Sequence, residues 1–168
     1  IRITMTTFDN FELPESLRHT LAHMGFVNPT PIQQQAIPVA LSGQDILGTA
    51  QTGTGKTGAF GVPLIAKLIA NPTAAALILL PTRELAVQVI DVIGQMVGKS
   101  AGIKTALLIG GDSMPKQLDQ LKRRPRIFVG TPGRINDHLA RGSLMLHNVT
   151  TLVLDETDRM LDMGFGVQ

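Results

Sequence analysis

Five short apolar runs alternate along this chain with longer stretches of helical periodicity. The runs are residues 45–49 (DILGT), 75–80 (AALILL), 104–109 (KTALLI), 126–129 (RIFV) and 151–154 (TLVL). Between them, apolar residues recur at helical spacing in 56–70, 83–98, 115–123 and 132–141. Brief strands that are apolar throughout and bounded by Gly, Pro or charge are typical of parallel sheets buried on both faces. The pattern therefore predicts an α/β fold, a doubly wound parallel sheet with helices on both faces.

Two further helices are predicted ahead of this pattern, in 13–25 and 31–43, each closing on a glycine. No repeat, linker or low-complexity tract interrupts the 168 residues, so we expect a single domain. Residues 1–7 are expected to be an N-terminal extension, in which Met5 is a candidate initiator preceded by four residues of non-native origin.

Composition excludes several classes of function. The chain has no cysteine, which rules out a disulfide framework and a thiolate metal site, and a reducing cytoplasmic setting is expected. No apolar run reaches the roughly eighteen residues of a membrane helix, so no membrane partner is expected. The formal net charge of +2 permits a nucleic-acid partner without demanding one. The four histidines show no metal-ligand spacing and are expected on the surface or in the core.

The segment AQTGTGKT (50–57) follows the first predicted strand and opens the first long helix. In such a turn, glycines let successive backbone N–H groups converge on a phosphate at a helix N-terminus. Lys56 can reach the outer phosphates and the Thr57 hydroxyl can ligate Mg²⁺. Ala50 stands where the first glycine of this motif is commonly found. The residues expected to surround the nucleotide phosphates are Gln51, Thr52, Gly53, Thr54, Gly55, Lys56 and Thr57.

Three acids follow the last predicted strand within four residues, at DETD (155–158). A simple explanation is a solvated helix start, where acids favour the positive end of the helix dipole. With a phosphate loop upstream, a second explanation is stronger, because Mg²⁺ needs hard oxygen ligands. Asp155 can hold the ion through water, and Glu156 can orient or deprotonate an attacking water.

These segments, with PTRELA (81–86), GG (110–111) and TPGR (131–134), stand in the order found in DEAD-box RNA helicases. GF (25–26) followed by PTPIQ (29–33) resembles the adenine-recognising Q motif of that family, with Phe8 seventeen residues before Gly25. The resemblance runs from Phe8 to Phe165. It implies that residues 8–168 form the first RecA-like domain of such a helicase, with ATP and Mg²⁺ as cofactors.

The resemblance also implies roles for individual residues. Gln33 would read the adenine edge, Phe26 would stack on the base, Phe8 would brace the segment, and Thr30 would bond within the turn. Lys56, Asp155 and Glu156 would be catalytic, with Thr57 and Asp155 as metal ligands. The residues implied to contact the RNA sugar-phosphate backbone, with little sequence preference, are Arg83, Gly110, Gly111, Thr131, Gly133 and Arg134. The basic run 122–126 (KRRPR) is explained more simply as charge at a helix C-terminus than as an RNA patch.

Two features depart from the family pattern. Thr157 stands where the family has Ala, and the chain ends at Gln168, ahead of an expected Ser-Ala-Thr segment and a second RecA-like domain. Asp158, implied to couple the acidic box to later motifs, would need those partners. We therefore expect the ATP- and RNA-binding half of a monomeric RNA helicase, inactive in unwinding by itself. The alternatives are a nonhydrolytic ATP-gated RNA clamp or adaptor, which Thr157 keeps open, and a phosphate-loop ATPase acting on another substrate, which PTRELA and TPGR disfavour.

Overall fold

A computed structural model describes residues 7–50, Gly53, 55–99 and 102–162. The chain divides into two compact units, one made of residues 1–72 and 93–102 and the other of 73–92 and 103–168. In chain order the elements are a 3-10 turn (Phe8–Asn10), α1 (Glu15–His23), α2 (Pro31–Leu41), α3 (Lys56–Ala70), β1 (Ala75–Leu79), α4 (Arg83–Val97), β2 (Thr105–Leu108), α5 (Met114–Lys122), β3 (Ile127–Gly130), α6 (Pro132–Arg141), β4 (Val149–Leu154) and α7 (Thr157–Asp162). The boundary between the units crosses α4 between Val92 and Ile93. No helix within the described ranges is long and apolar enough to cross a membrane.

The first unit is helical and is built around α3. This helix buries Val62, Leu64, Ile65 and Leu68 almost completely, so it is apolar on most of its circumference, as a core helix is. Both α1 and α2 pack against it. α1 contributes Leu17 and Leu21, which lie one turn apart on one face of the helix.

The second unit contains a parallel sheet with the strand order β2-β3-β1-β4. Because parallel crossovers are right-handed, the reversal of direction after β2 places α4 on one face and α5 with α6 on the other. On the α5 and α6 face, Leu77, Leu108 and Phe128 form a buried cluster with Ile135 of α6. On the α4 face, Ile78, Ile127 and Val129 are fully buried. The predicted α/β, doubly wound parallel sheet is confirmed.

The edge of the sheet at β2 is closed by side chains of α5. Gln120 Oε1 accepts a hydrogen bond of 2.9 Å from the Leu107 N–H, and Gln117 Nε2 donates one of 2.7 Å to the Ile109 carbonyl. Because the two glutamines are three residues apart, they lie on one face of α5 and reach two outward-facing backbone groups. Since both backbone groups are already paired, they are not available to a further strand at this edge.

Two predictions about strands are wrong. Residues 45–49 form no strand, and Ile46 and Leu47 are exposed. Only two of those five residues are large and apolar, and Gly48 has low strand propensity. The expectation of complete burial also fails for β4, where Leu152 and Leu154 are exposed. β4 lies at the end of the described sheet, and its Leu152 face is left uncovered. The predicted helices agree with the structure to within about two residues at each end.

Candidate nucleotide-binding and RNA-binding sites

Two phenylalanines near the N-terminus of the described chain meet edge to face. The ring centroids of Phe8 and Phe26 are 5.4 Å apart with an interplanar angle of 86°. The Phe8 N–H donates a 3.0 Å hydrogen bond to the Val27 carbonyl, which fixes the two segments side by side. Phe8 is buried, whereas Phe26 is half-buried and keeps part of its ring surface accessible. This arrangement suits a bracing role for Phe8 and a stacking role for Phe26.

Gln33 lies in the first turn of α2 and is only 2% exposed. Its Oε1 accepts a 2.9 Å hydrogen bond from the Thr30 N–H, and its Nε2 donates one of 3.0 Å to the Gly55 carbonyl. Since a carbonyl can only accept, the amide orientation is fixed by these partners. Gln33 therefore joins the start of α2 to the residue that caps α3.

Gly55 is that N-cap residue, with φ of +85° in the left-handed region. A Cβ at this position would lie 2.5 Å from Gln33 Nε2 and 2.8 Å from Thr30 Oγ1, so the contact with α2 requires glycine. The Thr30 hydroxyl oxygen is buried without a hydrogen-bond partner in the described part of the chain. Polar side-chain atoms of Thr30 and Gln33 thus pack closely around the N-terminus of α3.

Lys56 and Thr57 occupy the first two positions of α3, and both are half-buried. The N-terminus of a helix carries unsatisfied N–H groups and a partial positive charge, which together favour a phosphate. Gly53 has φ of +86° and is exposed. Gln51, Thr52 and Thr54 lie outside the described residues.

The acidic box of the second unit begins directly after β4. The Asp155 N–H donates a 3.1 Å hydrogen bond to the Leu79 carbonyl of β1, which extends the sheet pairing to this residue. Asp155 is 9% exposed, and its Oδ1 accepts a 3.0 Å hydrogen bond from the Glu156 N–H. Glu156 has φ of +57°, a conformation that side chains with a Cβ rarely adopt. Such strain is frequent at functional positions.

Thr157 begins α7 and is exposed, as is the neighbouring Asp158. The Thr157 hydroxyl donates a 3.2 Å hydrogen bond to the Leu154 carbonyl, a bond that alanine cannot form. This bond spans the turn that contains Glu156. Compared with the alanine of the family pattern, Thr157 therefore adds both bulk and a hydrogen bond across this turn.

The residues predicted to bind RNA gather at the carboxyl ends of three neighbouring strands. Arg83 follows β1, Gly110 and Gly111 follow β2, and Thr131 to Arg134 follow β3. Helices α4, α5 and α6 all begin at this edge, so three partial positive charges are directed towards it. An edge of this kind is suited to a phosphate backbone.

Two arginines converge on the loop after β2. Arg83 Nη1 donates a hydrogen bond of 3.4 Å to the Gly110 carbonyl, and Arg134 Nη1 donates one of 3.0 Å to the Asp112 carbonyl. Gly111 has φ of +79°, and a Cβ there would collide with the Arg83 guanidinium. Thr131 is the buried N-cap of α6, whereas Gly133 is exposed.

Asp112 belongs to the same loop, although the sequence did not single it out. Its Oδ1 accepts a 2.9 Å hydrogen bond from the Ser113 N–H, and its Oδ2 lies 3.3 Å from Lys116 Nζ. The Ser113 hydrogen bond, followed by the charges of Lys116 and Arg134, lowers the pKa of the Asp112 carboxyl. The signal in the sequence is the Asp-Ser pair ahead of Met114-Pro115, which is typical of a helix N-terminus.

Among the described residues, no group of three or more His, Asp or Glu side chains is arranged to hold a metal ion by itself. Thr57 of the first unit carries a hydroxyl oxygen and Asp155 of the second unit carries carboxylate oxygens, which are the kinds of ligand that Mg²⁺ prefers. The histidines agree with expectation, since His19, His23 and His147 are exposed and His138 is buried.

The family model of the DEAD/DEAH box helicases matches residues 30–168. The chain belongs to this family. A DEAD-box ATP-dependent RNA helicase, CshA of Geobacillus kaustophilus (strain HTA426), is 45% identical over 162 residues, which make up 96% of this chain and 34% of that protein. The crystal structure of a DEAD box protein from the hyperthermophile Methanococcus jannaschii matches with a TM-score of 0.88 at 42% identity, covering 96% of this chain and 44% of that one. This DEAD-box chain therefore spans less than half the length of either relative, and the family resemblance of its motifs is confirmed.

Proposed function

We propose that this chain is the ATP- and RNA-binding half of an ATP-dependent RNA helicase that separates short RNA duplexes locally. The observation that carries the proposal is the Gln33 side chain, which bonds the Gly55 carbonyl at the entrance to α3. One residue thereby connects the segment expected to recognise the base with the loop expected to hold the phosphates. A general phosphate-binding loop has no need of this connection.

Adenine would be recognised by the hydrogen-bonding groups of Gln33 that Thr30 and Gly55 leave unused. Its Oε1 keeps a second lone pair and its Nε2 a second N–H after the bonds to Thr30 and Gly55. One acceptor and one donor suit the amino group and N7 of adenine. Phe26 would stack on the base, held in place by the buried Phe8 ring.

Hydrolysis would depend on four residues. Lys56 at the start of α3 would neutralise charge on the outer phosphates, and Glu156 would orient the attacking water and accept its proton. Thr57 and Asp155 would hold Mg²⁺, which supplies further charge neutralisation when it is bound. The hydrogen bond from the Glu156 backbone N–H fixes the Asp155 carboxylate against the turn that carries Glu156.

RNA would be held by its backbone at the carboxyl edge of the sheet. Arg83, Arg134 and the glycines of the loop after β2 present guanidinium groups and a close-approach surface there. Contacts of this kind position a strand without reading its sequence.

Further parts of the proposal concern the parent protein. A second RecA-like domain would supply an arginine that stabilises transition-state charge, and Asp158 would couple the acidic box to it. The protein would act as a monomer in the cytoplasm, where ATP and RNA are both available. Without the second domain, the chain would bind nucleotide weakly and would not unwind RNA.

The test measures ATP turnover, RNA retention and duplex separation by a form of the protein that includes the second domain. We expect RNA-stimulated turnover and unwinding, both lost in Glu156→Gln. RNA affinity should fall with salt, and Arg134→Gln should reduce the slope of log K against log salt by about one phosphate contact. Retention of RNA with ATP but without turnover would indicate the nonhydrolytic clamp instead.

A further inference from the structure

A buried polar cluster lies behind the loop that follows β2. It consists of Gln117 on α5, His138 on α6 and Ser143 just after α6, which we call the Gln117 cluster. Both Gln117 and His138 have no exposed surface. His138 Nε2 is 2.8 Å from Gln117 Oε1, and His138 Nδ1 is 2.8 Å from Ser143 Oγ.

The direction of each hydrogen bond follows from the partners. Gln117 Nε2 must donate to the Ile109 carbonyl, since that oxygen can only accept, and the bond is 2.7 Å long. Gln117 Oε1 therefore faces His138 and must accept, so His138 carries a proton on Nε2. In the neutral ring, Nδ1 is then an acceptor for the Ser143 hydroxyl, which also lies 3.1 Å from the His138 carbonyl and shares its one proton between these two acceptors. His138 thus fixes the orientation of Gln117, and Gln117 holds Ile109.

Ile109 is the residue directly before Gly110. Three carbonyls of this short loop are held by side chains from three different helices: Ile109 by Gln117 of α5, Gly110 by Arg83 of α4 and Asp112 by Arg134 of α6. Of these side chains, Gln117 is the buried one, and it makes the shortest of the three bonds. The loop is therefore anchored from the interior at its first residue.

A purely apolar contact would fill the same space without needing hydrogen-bond partners. Burying an amide and an imidazole is costly unless each polar atom is paired, and here the pairing is complete only if Ile109 keeps its position. The arrangement is therefore directional, since a shift of the loop would leave the Gln117 amide unsatisfied.

We propose that Gln117 and His138 are positioning residues that fix the Gly110–Gly111 turn in the conformation that receives the RNA backbone. The inference rests on the proposed RNA-binding function. Neither residue would contact RNA, but together they would determine the position of the Gly110–Gly111 turn that does.

Four variants of the whole chain test the inference. Gln117→Met keeps the length of the side chain and removes its hydrogen bonds. His138→Gln can still donate to Gln117, whereas His138→Asn preserves the Nδ1 position facing Ser143 instead. Ser143→Ala is the matched control, because it removes a bond of the cluster without touching Gln117.

Affinity for a fluorescein-labelled oligouridylate is measured by anisotropy at low salt, together with the melting temperature and the amide NMR shifts of Gly110 and Gly111. We expect Gln117→Met and His138→Asn to bind about five- to tenfold more weakly, with shifted glycine amides. His138→Gln and Ser143→Ala should stay within about twofold of the unmodified chain, whatever their melting temperatures.

An affinity that simply follows the melting temperature through all four variants would overturn the inference, because that is what a structural role predicts. Unchanged glycine amide shifts in Gln117→Met would do the same. If the unmodified chain binds no oligouridylate, the proposed RNA-binding function fails. The amide shifts then still decide whether the Gln117 cluster positions the loop.

Discussion

Replacing Gln33 separates recognition of the base from support of the phosphate loop. Gln33→Ala removes the hydrogen bonds to the Thr30 N–H and the Gly55 carbonyl. Leaving a buried polar group unpaired costs about 1–3 kcal/mol, so two such groups give a loss in unfolding free energy of about 2–6 kcal/mol. The lower half of that range applies if water reaches Thr30, which is only half-buried.

The affinity for nucleotide should also depend on the hydrogen bonds of Gln33 to Thr30 and Gly55. We expect Gln33→Ala to weaken ADP binding by about 1–3 kcal/mol, which is about 5- to 150-fold in Kd, and to reduce the preference for ADP over GDP. Gln33→Glu keeps the acceptor for Thr30 but loses the donor to Gly55, so it should weaken both nucleotides. Gln35→Ala is the control, because Gln35 is an exposed glutamine on the same helix.

Isothermal titration calorimetry with ADP and GDP, combined with thermal unfolding, provides the measurements. Equal affinity of the unmodified chain for ADP and GDP would refute the assignment of base recognition to Gln33. If Gln33→Ala lowers both affinities by one common factor, Gln33 acts through Gly55 alone. If Gln33→Glu binds as well as the unmodified chain, the link to Gly55 has no role in binding.

Three further predictions concern single positions. Lys56→Ala should abolish nucleotide binding in calorimetry while the circular dichroism spectrum stays unchanged, because Lys56 is the cation at the N-terminus of α3; residual tight binding would contradict this. Thr157→Ala, in a form with the second domain, should raise ATP turnover by up to about a hundredfold, because a displacement of the Glu156 carboxylate by about 1 Å can change the rate that much. ATP affinity should stay unchanged. Thr157→Ser keeps the hydroxyl bond to Leu154 and should behave as the unmodified protein; a rise in affinity alone would argue against this account. Burial, assisted by Arg134 and Arg141 and opposed by Asp137, lowers the pKa of His138, so the unfolded chain binds this proton more readily. Stability should therefore fall as pH drops below about 6.5, until the folded pKa is passed, and His138→Gln should remove this component of the melting-temperature profile.

The sequence predicted those parts of the fold in which local pattern and final environment agree. α3 is an example, because a Gly-Lys-Thr start and an apolar circumference specify a buried helix without reference to the rest of the chain. Strands β1 and β3 are central and buried, as their apolar runs indicate. Residues 45–49 carry a weaker version of the same signal, and strand formation there depends on a partner that no local pattern specifies.

The residues of the candidate site also divide into those that the sequence predicts and those that depend on distant contacts. Motif order was sufficient to predict that Gln33 and the phosphate loop belong together, and the structure places Gln33 on Gly55. Gln117 and His138 could not be predicted, because a glutamine and a histidine in amphipathic helices are ordinarily solvent-exposed. Their burial follows from α5 lying along the edge of β2, an arrangement set by contacts distant in sequence.

The left-handed backbone of Glu156 has a consequence for how this position can evolve. At φ of +57° a Cβ costs about 1–2 kcal/mol, so Glu156→Gly should leave the chain more stable than Glu156→Ala by that amount. Selection for stability alone would thus favour glycine at 156, whereas the water activation that we propose requires the carboxylate. A library randomised at this position and screened only for folding should therefore enrich glycine and asparagine, whereas a screen for turnover should return glutamate.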